Sequence, residues 1–183
     1  MKNNKILLIF ILVVFAQIAT PLYMAWHWEN ILQTGQRFYW ETEPIDPFDA
    51  FKGRYIDLRF REATAPIDDN SDLKYGQSAY AVISVNTEGK AFISGVRAEK
   101  PSDYQYLKVR VNHTEGDTAH VQLPFRRYYL PEEIASEAEA AYLNNAGRTS
   151  VAAVRLKDGY GVIEELYLGN KNLREYLRNS NTK

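Results

Sequence analysis

The chain has 183 residues, 45% of them hydrophobic and 13% aromatic, so it is too apolar for a disordered protein and has the length of a single folded domain. Its formal net charge of −1 and its interspersed acidic and basic residues exclude the basic surface that binds nucleic acid. Because the chain contains no cysteine, disulfide bonds, thiolate metal sites and cysteine nucleophiles are also excluded.

A stretch without charged side chains runs from Ile6 to Trp26 and predicts a transmembrane helix, because about 20 apolar residues cross the hydrocarbon core of a bilayer. A cleaved signal peptide is the alternative, but its apolar region is shorter and is followed by small residues. Tyr23, Trp26 and Trp28 are typical of aromatic residues at a membrane interface. We therefore expect an uncleaved anchor over residues 6–28.

The charges on either side of this span predict its orientation. Lys2 and Lys5 precede it, whereas the charges that follow it are mainly acidic, namely Glu29, Glu41, Glu43, Asp46 and Asp49. Basic residues flank the cytoplasmic side of a membrane helix. The first residues are therefore expected in the cytoplasm and the folded domain outside it.

The segment after the anchor predicts a short helical stem and then a strand. Helix can continue through Leu32 until Gly35, a residue type that commonly ends helices. Arg37–Glu43 is rich in aromatic strand formers, and Pro44 with Pro47 ends that run. We expect the stem to hold the domain close to the bilayer.

The segment Gly53–Phe60 alternates in the way typical of a half-buried strand. The alternation predicts one face formed by Arg54, Ile56, Leu58 and Phe60, and an opposite face formed by Gly53, Tyr55, Asp57 and Arg59. The following residues 61–74 are polar and contain proline, so we expect a mobile loop there.

Three later pairs of alternating runs flank glycine-containing turns and predict β-hairpins. They are Ser78–Val85 with Ala91–Arg97, Tyr106–Val111 with Thr118–Leu123, and Ser150–Leu156 with Gly161–Leu168. Phe125–Leu130 predicts one more strand, followed by a helix from Pro131 to Gly147, and Asn170 is a candidate cap for a terminal helix through Arg178. The predicted fold is mainly antiparallel β, a sandwich or partly closed barrel with one inserted helix and a preceding transmembrane helix.

Two stretches of this sequence resemble a known family. Pro44-Ile45-Asp46-Pro47, followed by Lys52-Gly53-Arg54-Tyr55-Ile56-Asp57-Leu58-Arg59-Phe60, resembles the Gly-Asp-Tyr-X-X-Leu-X-Tyr motif that names the GDYXXLXY family of membrane-anchored bacterial proteins. Arg127–Glu132 and the last hairpin are similar to its later stretches, so the resemblance covers Thr42 to Asn172. It implies an anchored extracytoplasmic domain of unknown biochemical function, sometimes fused to or encoded beside multi-span membrane proteins.

The resemblance places the domain on the periplasmic or extracytoplasmic side of a bacterial inner membrane. From the apolar span, its flanking charges and the predicted elements we expect a cytoplasmic tail, an anchor, a stem, a β domain and a polar tail, at residues 1–5, 6–28, 29–35, 36–178 and 179–183. The candidate motif or interaction residues are Gly53, Arg54, Tyr55, Leu58, Phe60, Arg127, Tyr128, Tyr129 and Glu132. Arg54 replaces the aspartate of the motif and Phe60 its final tyrosine, so a role that needs that carboxylate is absent here.

The residues indicate no catalytic or metal site, and no cofactor is expected. His27, His113 and His120 lack metal-ligand spacing and form no triad pattern. The first hypothesis is a non-enzymatic accessory module for an integral, multi-span membrane partner. An envelope hydrolase of the signal-peptidase type, with serine and lysine, and a module that binds a small ligand or a glycan are the alternatives.

Two hypotheses concern the motif residues themselves. Arg54 is expected either to pair with Asp49, Glu132 or Glu133 as a structural clamp, or to point into water at the strand end. Tyr55, Tyr128 and Tyr129 are expected to pack within the sheet or, alternatively, to line a groove for a peptide or glycan.

Overall fold

A computed structural model describes residues 2–43, 55–60, 63–68 and 72–180 of the chain. In chain order its elements are α1 (Lys2–Thr34), β1 (Gln36–Glu43), β2 (Tyr55–Asp57), β3 (Arg59–Phe60), β4 (Thr64–Pro66), β5 (Ser78–Val85), β6 (Ala91–Arg97), β7 (Tyr106–Glu115), β8 (Thr118–Gln122), β9 (Arg127–Tyr129), α2 (Glu132–Asn145), β10 (Ser150–Lys157), β11 (Tyr160–Leu168), β12 (Lys171–Asn172) and α3 (Leu173–Ser180). The fold is mainly β, as the alternating runs predicted.

The N-terminal apolar stretch and the predicted stem form one continuous helix, α1. It contains Pro21 and ends at Thr34, where the Gly35 amide donates to the Ile31 carbonyl at 2.8 Å. A side chain at Gly35 would begin 2.5 Å from that carbonyl, so the tight exit from the helix requires glycine. The part from Lys5 onward is long and apolar enough to cross a membrane, and none of its most apolar window is buried against the domain.

The first sheet has five strands in the order β12-β11-β10-β1-β3, and its pairings are antiparallel. It begins immediately after α1, because Gln36 pairs with Leu156 at one end of the β10–β11 hairpin. The last two turns of α1 therefore lie beside the turn of that hairpin.

The second sheet has the order β4-β8-β7-β5-β6. A bridge between Ile67 and Val96 joins the end of its first strand to its last strand, so the sheet nearly closes on itself. This confirms the predicted partly closed barrel. The β5–β6 hairpin has the predicted bounds, whereas β7 continues past Val111 to Glu115 after a bulge.

An aromatic cluster lies at the centre of the core. The ring of Trp40, on β1, is 6.3 Å from that of Phe60 and 5.7 Å from that of Phe125, and the last two rings are 5.2 Å apart. All three side chains are buried. Aromatic pairs at such distances contribute beyond their buried area, so this cluster links β1, β3 and the segment that precedes β9.

The two C-terminal helices cover the first sheet and the small β2–β9 pair. From α2, Ala135, Ala138 and Tyr142 are buried, and the Tyr142 hydroxyl donates to the carbonyl of Glu43 at 2.9 Å. Helix α3 is capped by Asn172, whose Oδ1 accepts from the Glu175 amide at 2.8 Å. The cap predicted at Asn170 is wrong by two residues, because Asn170 lies in the turn before β12.

The prediction of a loop over residues 61–74 is wrong at Thr64–Pro66, whereas the described residues 72–74 have no regular structure. Thr64–Pro66 is β4, antiparallel to β8, with Thr64 opposite His120 and Ala65 opposite Ala119. Ala65 and Leu73 are both buried. The strand presents only one small apolar side chain to the core and is held by backbone pairing, so its sequence carries no clear alternation.

Candidate functional site

The two motif stretches are neighbours in space, because β2 pairs with β9. Tyr55 lies opposite Tyr129, Ile56 opposite Tyr128 and Asp57 opposite Arg127. The motif then leaves β9 and joins another sheet, where Phe60 pairs with Thr42. We call the paired strands β2 and β9, together with Arg126, the motif junction.

The alternation of the motif decides which of its side chains reach the core. Ile56, Leu58 and Phe60 are buried, as predicted for that face. On β9 the partner of Ile56 is Tyr128, which is also buried. The apolar half of the motif is therefore part of the core, and chemistry at the junction is left to the opposite face.

An ion pair joins the two stretches at the junction. The Arg126 guanidinium donates from Nε to Asp57 Oδ1 and from Nη2 to Oδ2, each at 3.1 Å. The Asp57 side chain is 9% exposed, whereas that of Arg126 is 57% exposed. The hydrogen bond to Asp57 raises the pKa of Arg126. The Leu58 amide also donates to the Arg126 carbonyl at 2.6 Å, so side chain and backbone reinforce one contact.

The outward face of the junction carries two tyrosines and a second arginine. The rings of Tyr55 and Tyr129 are 5.8 Å apart, and the Arg127 guanidinium lies 4.6 Å from the centre of the Tyr55 ring. Tyr129 is 67% exposed. A guanidinium over an aromatic face is attracted by the ring quadrupole, so the Tyr55 ring orients Arg127.

Tyr128 points to the other side, toward β11. Its hydroxyl donates to Glu165 Oε1 at 2.6 Å, and the same oxygen accepts from the Leu166 amide at 3.1 Å. Burial, together with the hydrogen bond to Glu165, raises the pKa of the Tyr128 phenol. Tyr128 therefore stays protonated and fixes β9 against β11.

An open groove of about 870 Å³ lies beside the motif junction. Its walls come from Trp28 at the end of α1, from the segment 122–129 that includes β9, from residues 161–164 of β11, and from Arg174 of α3. Three arginines line it: Arg126, Arg127 and Arg174. We call it the arginine groove.

A second cluster of charges lies where α1 meets the domain. Glu164 accepts from Arg37 Nε at 2.6 Å and from Arg155 Nε at 2.9 Å, and each guanidinium donates a second hydrogen bond to the same carboxylate. The hydrogen bond from Arg37, with a smaller contribution from Arg155, lowers the pKa of Glu164 to about 2. Arg155 also donates to the Gly35 carbonyl at 3.0 Å.

The end of α1 is fixed by packing as well as by charge. Ile31 is 2% exposed. The ring of Tyr160 lies 5.1 Å from that of His27 and 6.0 Å from that of Trp28, edge to face in both cases. Lys157 donates from Nζ to Thr34 Oγ1 at 2.7 Å. We call the last two turns of α1 and the β10–β11 hairpin the helix junction.

The remaining sequence-predicted site residues fall into three groups. Gly53, Arg54, Asp46 and Asp49 lie outside the described residues, so the proposed Arg54 clamp stays a prediction. Leu58 and Phe60 belong to the core, whereas Glu132 begins α2. Tyr128 packs inside and also lines the groove, and Tyr129 lines it from an exposed position, so a groove for a peptide or glycan stays a prediction.

Sequence reasoning missed Asp57 and Glu164 as charged centres. Asp57 lies on the same face of β2 as Tyr55, and its partner Arg126 is 69 residues away in sequence. Glu164 likewise meets Arg37 across 127 residues. Both carboxylates could have been sought from their arginines. Arg37 and Arg126 each stand in or beside a strand rich in aromatic residues, and a half-buried guanidinium requires a carboxylate.

Other polar clusters have simpler geometry. The rings of His113 and His120 stack 3.9 Å apart, and His120 Nδ1 is 2.9 Å from the Thr64 hydroxyl. Within the described ranges, no three histidine or acidic side chains are grouped so that they could hold a metal ion. We therefore assign no metal role to this pair.

Comparison with known proteins gives one match. A family model described as GDYXXLXY protein matches residues 17–166. The matched region begins inside α1 and ends in β11, so it starts earlier and ends earlier than the resemblance drawn from the motif. No curated protein and no solved structure matches the chain.

Proposed function

This chain belongs to the GDYXXLXY protein family, and from that premise we propose that it is a membrane-anchored accessory module for an integral membrane partner. In this proposal α1 crosses the bacterial inner membrane with its N-terminus in the cytoplasm, and the β domain lies in the extracytoplasmic space. The module presents a surface and catalyses no reaction of its own.

One observation carries the proposal: the apolar surface of α1 is exposed over its whole first part. Large apolar side chains from Ile6 to Trp26 are exposed, and residues of the described domain do not cover them. Contiguous exposed apolar surface of this extent is a site for lipid or for another apolar surface. At 1.5 Å per residue this part is about 30 Å long, which suits the hydrocarbon core.

The helix junction supports the module's second property, a fixed height above the membrane. Because α1 continues without interruption into its docked end, no flexible linker separates Trp26 from the domain. The buried Ile31, the Tyr160 ring and the hydrogen bond from Lys157 to Thr34 hold that end in place. A rigid domain at the bilayer surface suits contact with the short outer loops of a multi-span protein.

The hydrolase alternative receives no support from the described hydroxyl contacts. Lys157 donates to a hydroxyl, but that hydroxyl is Thr34 at the exposed end of α1, and it donates in turn to the Asn30 carbonyl at 2.7 Å. A nucleophile needs a base and stabilising donors inside a cleft. Neither Lys157 nor Thr34 lines the arginine groove.

Photocrosslinking of the full chain in membranes tests the proposal. We would place a photoreactive phenylalanine analogue at Phe15, which is exposed on α1, and in a matched variant at Tyr75, an exposed tyrosine of the domain. Illumination followed by mild detergent extraction and mass spectrometry should yield a discrete adduct with a multi-span protein from the Phe15 position.

The Tyr75 variant controls for random collision, and extraction at high pH tests anchoring by itself. Release of the chain by alkaline carbonate would refute the anchor. An anchored chain that yields only lipid adducts at Phe15, and at the other exposed positions of α1, would refute the accessory role.

A further inference from the structure

We propose that the arginine groove binds the headgroup phosphate of an anionic glycerophospholipid in the adjacent leaflet. This inference rests on the proposed membrane anchoring and adds a ligand to it. Three features of the groove carry it: its position at the end of α1, its charge, and the apolar part of its wall.

The position follows from Trp28. Its indole lines the groove and stands two residues beyond the end of the apolar stretch at Trp26. Tryptophan at the end of a membrane helix lies at headgroup level, because its ring is apolar and its N–H is polar. With α1 docked rigidly on β10 and β11, the groove that Trp28 lines is at the same level.

The charge of the groove suits a phosphate. Among the described residues that line it are Arg126, Arg127 and Arg174, against one carboxylate, Glu164. That carboxylate is already bound by Arg37 and Arg155, which lower its pKa to about 2, so it is a weak competitor for further cations. The groove is therefore electropositive.

Two arginines of the groove, Arg126 and Arg127, are held in fixed orientations that suit phosphate binding. Arg126 uses Nε and Nη2 for Asp57, which holds the guanidinium in place while 57% of the side chain stays exposed. Arg127 is held over the Tyr55 ring at 4.6 Å. Guanidinium groups oriented in this way bind phosphate oxygens through paired hydrogen bonds.

The rest of the wall suits the glycerol and first acyl carbons of a lipid. Phe125, Val162 and Ile163 contribute apolar surface, and Gln122 with Tyr129 adds hydrogen-bonding groups. A soluble anion would use the arginines alone. A glycerophospholipid uses both the charged and the apolar parts, which is why we commit to the lipid.

Native mass spectrometry of the full chain in detergent micelles tests this inference. Phosphatidylglycerol or phosphatidylcholine is added in increasing amounts, and the lipid retained by the protein is counted. We expect wild-type protein to retain phosphatidylglycerol in preference to phosphatidylcholine. The variant Arg127→Gln/Arg174→Gln should bind phosphatidylglycerol about 30-fold more weakly, since each basic residue near an anionic surface contributes about fivefold.

Two further variants make the result specific. Arg148→Gln/Lys74→Gln removes the same charge from exposed positions that do not line the groove, and should bind like wild type. Arg127→Lys/Arg174→Lys keeps the charge and should restore most of the binding. The exposed sites of all three variants leave the fold intact, which the thermal unfolding temperature checks.

Three outcomes would overturn the inference: equal retention of both lipids by wild-type protein, unchanged phosphatidylglycerol binding in Arg127→Gln/Arg174→Gln, or an equal loss in the control variant. Glycerol 3-phosphate, a soluble anion with a similar phosphate group, is added as a competitor in a separate experiment. If it displaces phosphatidylglycerol at equal concentration, the groove is a site for soluble anions and the lipid assignment is wrong. Failure of these tests leaves the anchoring result, obtained by carbonate extraction, unaffected.

Discussion

The motif junction and the helix junction both use arginine and a carboxylate to join distant parts of the chain, but they do so differently. At the motif junction the Arg126 guanidinium meets a nearly buried carboxylate, Asp57, beside three residue pairs of backbone ladder. At the helix junction two guanidiniums share Glu164, and the contact is completed by the buried Ile31 and the Tyr160 ring.

The difference follows from what each junction joins. Strands β2 and β9 are joined by their backbone ladder, and the ion pair between Arg126 and Asp57 adds to that contact. Along its length a helix uses its backbone groups in internal hydrogen bonds, so the end of α1 docks mainly through side chains. The helix junction therefore depends on individual residues, and substitutions there should have the larger effects.

The largest expected effect comes from Ile31→Ala. Removing a buried isoleucine side chain costs about 3 kcal/mol, because apolar contacts are lost and a cavity remains. Urea unfolding in dodecyl maltoside micelles, followed by tryptophan fluorescence, measures the free energy of unfolding. Ile18→Ala, at an exposed position of the same helix, is the control and should change it little. Equal effects of the two substitutions would contradict a docked helix end.

The second prediction concerns Glu164→Gln, which leaves Arg37 and Arg155 beside each other without a counter-charge. The pKa of Glu164 falls from 4.5 to about 2 on folding. After allowance for solvent screening this shift corresponds to about 2 kcal/mol, and we expect a loss of that size at pH 7. Glu88→Gln, in an exposed turn, should have no such effect.

The pH dependence gives the sign of this interaction. A carboxylate with a lowered pKa in the folded state stabilises the protein fully above pH 4.5, and that contribution is lost as the pH falls toward 2. Wild-type protein should therefore lose more stability than Glu164→Gln across this interval. Parallel pH profiles of the two proteins would rule out the double arginine contact as its source.

A smaller loss is expected from Asp57→Asn at the motif junction. The substitution removes the charge from a nearly buried position, but Arg126 is half exposed and can be hydrated, so the cost is about 1–2 kcal/mol. Unfolding of this variant should be compared with that of Asp117→Asn, in an exposed turn. A loss greater than that of Glu164→Gln would reverse the order proposed for the two junctions.

The smallest effect is expected from Tyr128→Phe, which removes the hydroxyl bound to Glu165 and keeps the buried ring. A hydrogen bond to a charged group contributes about 1.5 kcal/mol at the low end of its range, and because Glu165 is only half-buried we expect a loss of about 1 kcal/mol. The adjacent Tyr129→Phe is a closely matched control, because Tyr129 is exposed. If both substitutions have the same effect, the Tyr128 hydroxyl does not fix β9 against β11.

The sequence predicted those features that rest on local pattern. The alternation of Ile56, Leu58 and Phe60 identified the buried face of the motif, and glycine-containing turns located the three hairpins. It also predicted that helix would continue to Gly35. Each of these depends on residues within one or two turns of chain.

Features that depend on distant partners escaped prediction. The ion pair of Asp57 depends on Arg126, and strand β4 depends on pairing with β8, so neither has a local signature. The arginine groove combines α1, β9, β11 and α3, which approach one another only in the fold. Its arginines are spread over the chain between Arg126 and Arg174.

The central claim is that α1 and the β domain form one rigid unit, and pulsed electron paramagnetic resonance tests it most directly. Because the chain has no cysteine, spin labels can be introduced by Leu22→Cys on α1 and Thr87→Cys in the β5–β6 turn. A second labelled pair within the domain, Thr87→Cys and Asp117→Cys, gives the width of the distance distribution that is expected for a rigid body.

With the full chain in lipid nanodiscs, we predict that the distance distribution between Leu22→Cys and Thr87→Cys is single and as narrow as the reference. Adding Ile31→Ala should broaden the first distribution and leave the reference unchanged. A distribution in wild-type protein several times broader than the reference would contradict the account, because the domain would then move freely on its helix.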